Sequence, residues 1–525
     1  MINFVFFVLL SYEKVYKMEI KELYEIYKAH PVVTTDSRNC PEGSIFFALK
    51  GETFDGNKFA MQALEKGCAY AVVDDPQLSP CCRGTSEAEG VNNSSFLTPH
   101  SSLIFVDNVL DTLQQLARYH REQLGIPVVG ITGTNGKTTT KELVAAVLSR
   151  KYRVQYTQGN FNNHIGVPLT LLSIKPDCEI AVVEMGANHP GEIRDLAGLA
   201  LPTCGLITNV GKAHLEGFGS LEGVINTKKE LYDNIVARGG HIFLNAGNEL
   251  LVEALKEITD YRLQITDNLF TKKSVSHTDS TEHTEVDLSL CDKSQVTTYS
   301  SNSDVVADVN GRLLRCAPYV EFEWHFFDKG SKTFGSQLST FNSQLSTNFV
   351  GAYNLDNMLA AITVGLHFGV EEKDICDAIS NYVPANNRSQ LTKTERNTLI
   401  VDAYNANPTS MMAAIDNFDI MEGENKIAIL GDMLELGEQS EIEHQNIVRR
   451  LMESKIERII LVGKEFEKAC DKLGVRSEEL GVNSKFSIFN SQLLTLNSQL
   501  STLNSQLILL KGSNGIGLYK LIPYL

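Results

Sequence analysis

Residues 127–148 read Pro-Val-Val-Gly-Ile-Thr-Gly-Thr-Asn-Gly-Lys-Thr-Thr-Thr-Lys-Glu-Leu-Val-Ala-Ala-Val-Leu. The β-branched run Val128–Thr132 predicts a buried strand. Gly133, Thr134, Asn135 and Gly136 predict a turn. Lys137, Thr138 and Thr139 open a predicted helix whose apolar positions Leu143, Val144, Val147 and Leu148 share one face. Together these parts make a phosphate cradle: glycines let backbone N–H groups turn inward, the helix N-terminus favours anions, Lys137 reaches outer phosphates, and Thr138 ligates Mg²⁺. The longer pattern G-x-x-x-x-G-K-[ST] would need glycine where Ile131 stands, so this is the shorter G-x-x-G-K-T. A chance Gly-Lys-Thr in an ordinary turn is the competing reading; the strand before it and the helix after it argue against that.

The chain has 525 residues, enough for about three domains. Its formal net charge of -17, with no strongly basic block, argues against a general nucleic-acid binder but leaves room for a nucleotide substrate. The ten cysteines show no C-x-x-C spacing, which predicts a reduced, cytoplasmic protein without a zinc or disulfide framework. Residues 2–10 are apolar but too short to span a bilayer, and they lack the flanks of a signal peptide. Met18 precedes a predicted helix over 19–29 and is the expected start of the chain.

The short motif Gly133-Thr134-Asn135-Gly136-Lys137-Thr138-Thr139 resembles that of the Mur ligases, which build the peptide of bacterial cell-wall precursors. Other stretches are similar to the same family. Thr35-Asp36-Ser37-Arg38, the run 43–51 and Phe54-Asp55-Gly56 resemble the uridine-nucleotide domain of two members, those adding the third residue and the terminal dipeptide. The resemblance implies Ser37, Arg38 and Lys50 near a uridine diphosphate, and cations suit a pyrophosphate. A polar stretch, 79–102, reads as a loop insertion. Residues 107–124 predict a helix. The Asn- and Gly-rich run 157–168 reads as a loop of amides facing a polar substrate, with Asn160 and Asn163 as candidate contacts.

A strand over 180–185 ends at Glu184, where a carboxylate beside a phosphate loop suits a Mg²⁺ ligand. Another, over 204–210, leads into His214-Leu215-Glu216-Gly217-Phe218-Gly219; the resemblance implies His214 as a metal ligand. It also implies that a lysine in Asn226-Thr227-Lys228-Lys229-Glu230 is carbamylated and helps hold a second Mg²⁺. Lys228 fits the pattern and Lys229 ranks second; the chemistry needs a neutral amine, hence a lowered lysine pKa. Residues 263–303, rich in Ser, Thr and charge, are expected to have low order. Phe322, Trp324 and Phe326 alternate as in a strand. Repeats of Asn-Ser-Gln-Leu over 335–347 and again over 489–507 read as low-complexity insertions at surface loops. Gly351-Ala352-Tyr353-Asn354 opens a helix in which the family places the first Asn near adenine, and Arg388 falls where the family sets an Arg against the nucleotide.

From residue 399 onward strands and helices alternate, which predicts a doubly wound α/β domain. Its strand ends carry Asp402, expected at the nucleotide, and Tyr404, Asn405 and Asn407, expected at the incoming amine. The expected fold class is therefore α/β: a uridine-nucleotide domain over 18–107, a central P-loop ATPase domain over 108–384, and a Rossmann-like domain over 385–525. The resemblance implies an ATP- and Mg²⁺-dependent ligase of cytoplasmic peptidoglycan synthesis, serving cell shape and division, and acting as a monomer. Its expected partners are UDP-N-acetylmuramoyl-tripeptide and D-alanyl-D-alanine, joined through an acyl phosphate. The nearest rival is the member adding the third residue, a diamino acid; a nucleotide-operated switch is the rival from another class.

Overall fold

The computed structural model describes residues 18–78, 102–259, 284–285, 295–316, 318–326, 341–384, 390–475, 485–489, 500–501 and 503–525. The apolar run 2–10, the insertion over 79–101 and Arg388 lie outside the described residues.

The chain opens with helix Ile20–Ala29, whose first turn is closed by a capping box between Glu19 and Glu22. Four short parallel strands follow: β1 (Val33–Thr34), β2 (Ile45–Phe47), β3 (Tyr70–Val73) and β4 (Leu103–Phe105), in that spatial order. Alternation along β2 sends Ile45 and Phe47 to one face and Phe46 to the other. Phe46 packs with Ala60 and Ala63 of helix Ala60–Glu65. Ile45 and Phe47 join a larger core with Leu113 and Leu116 of helix Val109–Gln123 and with Val183 and Ile193 of the next sheet's layer. The first sheet is thereby welded to the second through one continuous apolar cluster.

The second sheet has nine strands. In chain order they are β5 (Val128–Thr132), β6 (Val154–Tyr156), β7 (Ile180–Glu184), β8 (Cys204–Ile207), β9 (His241–Asn245), β11 (Val296–Ser300), β13 (Val309–Arg315), β14 (Glu321–Phe326) and β15 (Phe341–Ser346). The spatial order β15-β14-β13-β11-β9-β8-β5-β7-β6 places the phosphate-loop strand β5 between β7 and β8. Every residue of β5, β7 and β8 is buried, as a parallel sheet covered on both faces demands. A small parallel pair, β10 (Thr284–Glu285) with β12 (Val305–Val306), stands apart.

The third sheet has six strands, β16 (Gln390–Lys393), β17 (Thr398–Asp402), β21 (Leu507–Lys511), β18 (Lys426–Gly431), β19 (Arg458–Val462) and β20 (Phe486–Phe489), in that spatial order. All pairs are parallel except β16–β17. Helix Pro408–Ile420 starts sharply because Asn407 caps it and Pro408 takes the first position, where no N–H is needed.

Three expectations need correction. The run 263–303 is not uniformly without structure: Val296–Ser300 pairs with β9 as an interior strand, and its Tyr299 is buried. The first repeat is not only a surface loop: Phe341–Ser346 pairs antiparallel with β14, and Leu345, opposite Phe322, is buried. Its leucine spacing resembles a helix, but a strand's period of two is what aims Leu345 at the core. In the second repeat, Leu500 and Leu503 are buried with Leu399 and Ile508 beneath the third sheet; residues 490–499 lie outside the described residues. The loop read over 157–168 is also shorter than expected, since helix Gly166–Leu172 begins inside it.

Candidate active site

The phosphate loop leaves β5 through two glycines that no other residue can replace without a shift. Gly133 has φ +145°, and a Cβ there would lie 2.0 Å from Thr208 Oγ1; Gly136 has φ +79°, and its Cβ would lie 2.4 Å from Asn357 Oδ1. Gly136 caps helix Lys137–Leu148 in the left-handed conformation. The strand-end residues after β8 hold the loop in place. Asn209 Oδ1 accepts from Asn135 N at 3.0 Å, Asn209 O accepts from Thr134 N at 2.9 Å, and Thr208 Oγ1 donates to Asn135 O at 2.5 Å. Lys137 folds back on this turn, donating to Gly133 O at 2.8 Å and Thr134 O at 3.0 Å.

Thr138 and Glu184 meet at the floor of the site. Thr138 Oγ1 donates to Glu184 Oε1 at 3.1 Å, and Asn162 Nδ2 donates to the same oxygen at 2.8 Å. Glu184 Oε2 is shut off from solvent without a hydrogen-bond partner, and Lys141 Nζ stands 3.9 Å away. A hydroxyl and an unsatisfied carboxylate oxygen are the donors a hard divalent cation takes. Among the described residues no three His, Cys, Asp or Glu side chains converge. Thr138 and Glu184 therefore fit a Mg²⁺ whose remaining ligands come from phosphate and water, as is usual for that ion.

Lys141 is fully buried and was not singled out from the sequence. Its ammonium donates to Thr157 O at 2.7 Å and Gly159 O at 3.3 Å, pairs with Glu142 at 2.9 Å, and lies 5.5 Å from the Tyr156 ring centroid. It ties the phosphate-loop helix to the Asn-rich loop. In that loop Asn160 is exposed and Asn163 uses its Oδ1 to accept from Ile165 N and Gly166 N, so Asn163 starts the next helix as well as facing the cleft.

Lys228 and Lys229 are sharply different. Lys228 is 2% exposed, its Nζ 3.4 Å from Ala187 O and 5.3 Å from the Phe218 ring centroid. Burial, and then the nearby Lys137 charge, push its pKa well below the ordinary lysine value. Lys229, next to it on helix Leu221–Ala237, instead pairs with Glu257 of the neighbouring helix Glu249–Thr259 at 2.7 Å.

His214 lies just before the short helix Leu215–Phe218, with φ +49°. Its Nδ1 contacts the Glu435 carboxylate, which is carried by the loop after β18 of the third sheet. Burial lowers the His214 pKa, and the Glu435 charge opposes that shift. On the helix Asn354–His367, Asn357 Oδ1 accepts from Thr140 Oγ1 of the phosphate-loop helix at 3.0 Å and Asn357 Nδ2 donates to Asn354 Oδ1 at 3.0 Å. Asn357 thus braces the loop while Asn354 faces the cleft with it.

The third sheet closes the site from above. Asp402, at the end of β17, pairs with Lys511 of β21 at 2.5 Å. Asn407 Nδ2 donates to Asn135 Oδ1 at 2.8 Å and Lys212 pairs with Glu443 at 2.7 Å, so these bridges join the His214–Glu435 contact in tying the second sheet's loops to the third sheet's side of the cleft. Asn407 is 4% exposed and spends its Oδ1 on Ser410 N; it is not among the cleft's lining residues.

One cleft of about 1170 Å³ gathers Thr134, Asn135, Gly136, Lys137, Thr138, Thr139, Asn160, Asn163, Glu184, His214, Asn354, Asp402, Tyr404 and Asn405. Lys511, Asn162 and Asn209 also line it, and the sequence offered for them only their place at strand ends and in the Asn-rich loop. Ser37, Arg38 and Lys50 belong to the first sheet's loops and do not line it. Arg38 is bound to Asp36 at 2.9 Å, Lys50 to Asp74 at 2.8 Å, and Ser37 O accepts from Lys66 Nζ at 2.7 Å.

Comparisons with known proteins cover all three sheets. The chain matches the Mur ligase family catalytic-domain model over residues 31–121, the Mur ligase middle-domain model over 131–365, and the Mur ligase glutamate ligase-domain model over 387–514. It is 35% identical over 434 residues to a UDP-N-acetylmuramoyl-tripeptide–D-alanyl-D-alanine ligase of Bacillus subtilis (strain 168), spanning 82% of this chain and 80% of that one. Identity to the Haemophilus influenzae protein of the same name is 32% over 423 residues, spanning 79% and 77%. The crystal structure of MurF from Acinetobacter baumannii superposes with a TM-score of 0.71 at 28% identity, covering 94% of this chain and 92% of that one.

Proposed function

This chain belongs to the Mur ligase family, and from that premise we propose how its cleft carries out ATP-dependent joining of D-alanyl-D-alanine to UDP-N-acetylmuramoyl-tripeptide. The observation that carries the reading is the meeting of two strand-end loops across one cleft: the phosphate loop of the second sheet and the Tyr404–Asn405 loop of the third. The first presents donors for a triphosphate; the second presents a phenol and an amide for a small uncharged dipeptide.

The reaction has two parts. A terminal carboxylate oxygen of the tripeptide attacks the γ-phosphorus of ATP and ADP leaves. The free amine of the dipeptide then attacks the acyl carbon, and phosphate leaves. In this scheme Gly133 to Thr139 bind the phosphates through backbone N–H groups, and Lys137 trades its loop carbonyls for the γ-phosphoryl oxygens. Thr138 and Glu184 would hold Mg²⁺, with His214 at a second position; the ion supplies charge neutralisation of the phosphates. Asn354 orients the base, and Arg388 and Asp402 are assigned to the nucleotide. Asn160 and Asn163 face the peptide, while Tyr404 and Asn405 hold the dipeptide, with Asn407 fixing their loop. Ser37, Arg38 and Lys50 are assigned to the uridine diphosphate, outside this cleft.

Lys228 is the proposed site of carbamylation: its burial and the Lys137 charge favour the neutral amine that reacts with CO₂. The proposed domain limits are 18–107, 108–384 and 385–525. Among the described residues no helix is long and apolar enough to cross a membrane; action in the cytoplasm is proposed because ATP and the nucleotide-linked substrate are its co-substrates, and action as a monomer is proposed alongside it. The test is the substrate dependence of phosphate release. It should require ATP, UDP-N-acetylmuramoyl-tripeptide and D-alanyl-D-alanine together; equal release from ATP alone would make the protein a nucleotide switch instead.

A further inference from the structure

His214 and Glu435 come from different sheets and meet in an unusual way. Each is a non-glycine residue in the left-handed region, His214 at φ +49° and Glu435 at φ +63°. Such backbone is strained for a residue with a Cβ and persists where surrounding structure holds it. Here the surroundings are mutual. The Glu435 carboxylate contacts His214 Nδ1, Glu435 O accepts from Glu216 N at 3.4 Å, and a Cβ on Gly437 would lie 3.4 Å from Glu216. The Lys212–Glu443 pair brackets the same seam.

Engaging Nδ1 has a chemical consequence. An imidazole that donates Nδ1–H to a carboxylate presents Nε2 as its lone-pair acceptor, the tautomer a metal ligand needs. We propose that Glu435 is a positioning residue for the divalent cation: it fixes the tautomer and ring plane of His214, and it does so only when the third sheet's domain is closed on the second. The cation and domain closure are then linked, each strengthening the other by the same factor. This rests on the reading of His214 as a metal ligand given above.

The experiment uses the full chain with ADP and Mn²⁺ as the probe, with Mn²⁺ affinity read by electron paramagnetic resonance and closure by small-angle scattering. Glu435→Ala should weaken Mn²⁺ by about 10- to 100-fold, the usual loss on removing a ligand's carboxylate partner, with Glu435→Gln intermediate because it keeps an acceptor but loses the charge. Lys212→Met, which breaks the neighbouring bridge without touching His214, should also weaken Mn²⁺. Mn²⁺ should compact the wild-type protein more than the Glu435→Ala protein. If His214→Ala weakens Mn²⁺ while Glu435→Ala binds it like wild type, the inference is overturned and the ligand reading stands. If His214→Ala itself leaves Mn²⁺ affinity unchanged, the ligand reading fails and takes the inference with it. Unchanged affinity in Lys212→Met would remove the link to closure.

Discussion

Lys137 sits with its ammonium on two carbonyls of its own loop, at 2.8 and 3.0 Å. Those bonds are local, so removing the side chain should leave the fold intact while deleting a preorganised charge. Lys137→Ala is expected to lower turnover by roughly 10²-fold or more, the scale of losing one such donor, with an unchanged circular dichroism melt; near-normal turnover in a folded variant would end the phosphate-loop assignment. The lysine pair gives a sharper contrast. Sequence left Lys228 and Lys229 as rivals because adjacent positions on a helix differ by only 100° of rotation. Burial separates them: Lys228 is enclosed by Phe218 and Ala187, and Lys229 reaches Glu257. Lys228→Ala should be largely inactive and partly rescued by bicarbonate or short carboxylic acids, whereas Lys229→Ala should be mild. Steady-state rates of the two variants, with and without added bicarbonate, decide it, and a reversed order of severity would shift the assignment by one residue.

At the scale of elements, helix Asn354–His367 shows what a local reading sees and what it misses. Its start was legible because Gly351, Tyr353 and Asn354 mark it, but its far end docks through His367, which no pattern singled out. The His367 ring lies 4.2 Å from His241 and 5.1 Å from Phe243 between centroids. Burial, and then the His241 charge, lower its pKa from 6.5 to about 4. A base with its folded pKa below its unfolded one binds more protons when unfolded, so its stability contribution is intact above about 6.5 and is lost as pH falls toward about 4. The wild-type melting temperature should therefore drop more between pH 7 and pH 5 than that of His367→Phe; parallel drops would place the acid-sensitive packing elsewhere. The strands tell a similar story. β5, β7 and β18 were legible as continuous apolar runs, since a covered parallel strand needs nothing else. β15 was not, because Asn, Ser and Gln give a weak strand signal and its pairing with β14 is decided by tertiary contact. β11 was hidden for a different reason: Val-Thr-Thr-Tyr-Ser is made of β-favouring residues, but it ends a long Ser-, Thr- and charge-rich run, and its place beside β9 is set by tertiary pairing.

Across the whole molecule, the proposed reaction divides its labour among the three sheets: a cleft floor assigned to the triphosphate, a roof assigned to the amine, and an edge sheet welded to the floor by a common apolar core. The floor was readable residue by residue, because phosphate chemistry dictates glycine, lysine and threonine at fixed spacing. The roof was readable only in outline: Asp402 and Tyr404 mark a strand end, but that Lys511 would pair with Asp402, or that Asn407 would bridge to Asn135, depends on contacts more than a hundred residues apart in sequence. In the proposed scheme the roof also decides the acceptor. A site for a diamino acid needs a cation for its carboxylate and an acidic partner for its second amine. The roof's aspartate, Asp402, is already committed to Lys511 at 2.5 Å, while Tyr404 and Asn405 bring a phenol and a neutral amide to the cleft. Such groups suit a dipeptide's own amide and carboxylate, and they leave a charged side-chain amine without a partner, which costs about 1–3 kcal/mol or more when it must be desolvated. Ligation should therefore proceed with D-alanyl-D-alanine and be weak with lysine or diaminopimelate. Product mass from a UDP-N-acetylmuramoyl-tripeptide donor offered each amine in turn reads this directly. Gain of one diamino acid on a UDP-N-acetylmuramoyl-dipeptide donor, with no reaction from the dipeptide, would mean that the roof is built for the other substrate and that the Asp402–Lys511 pair opens to receive it.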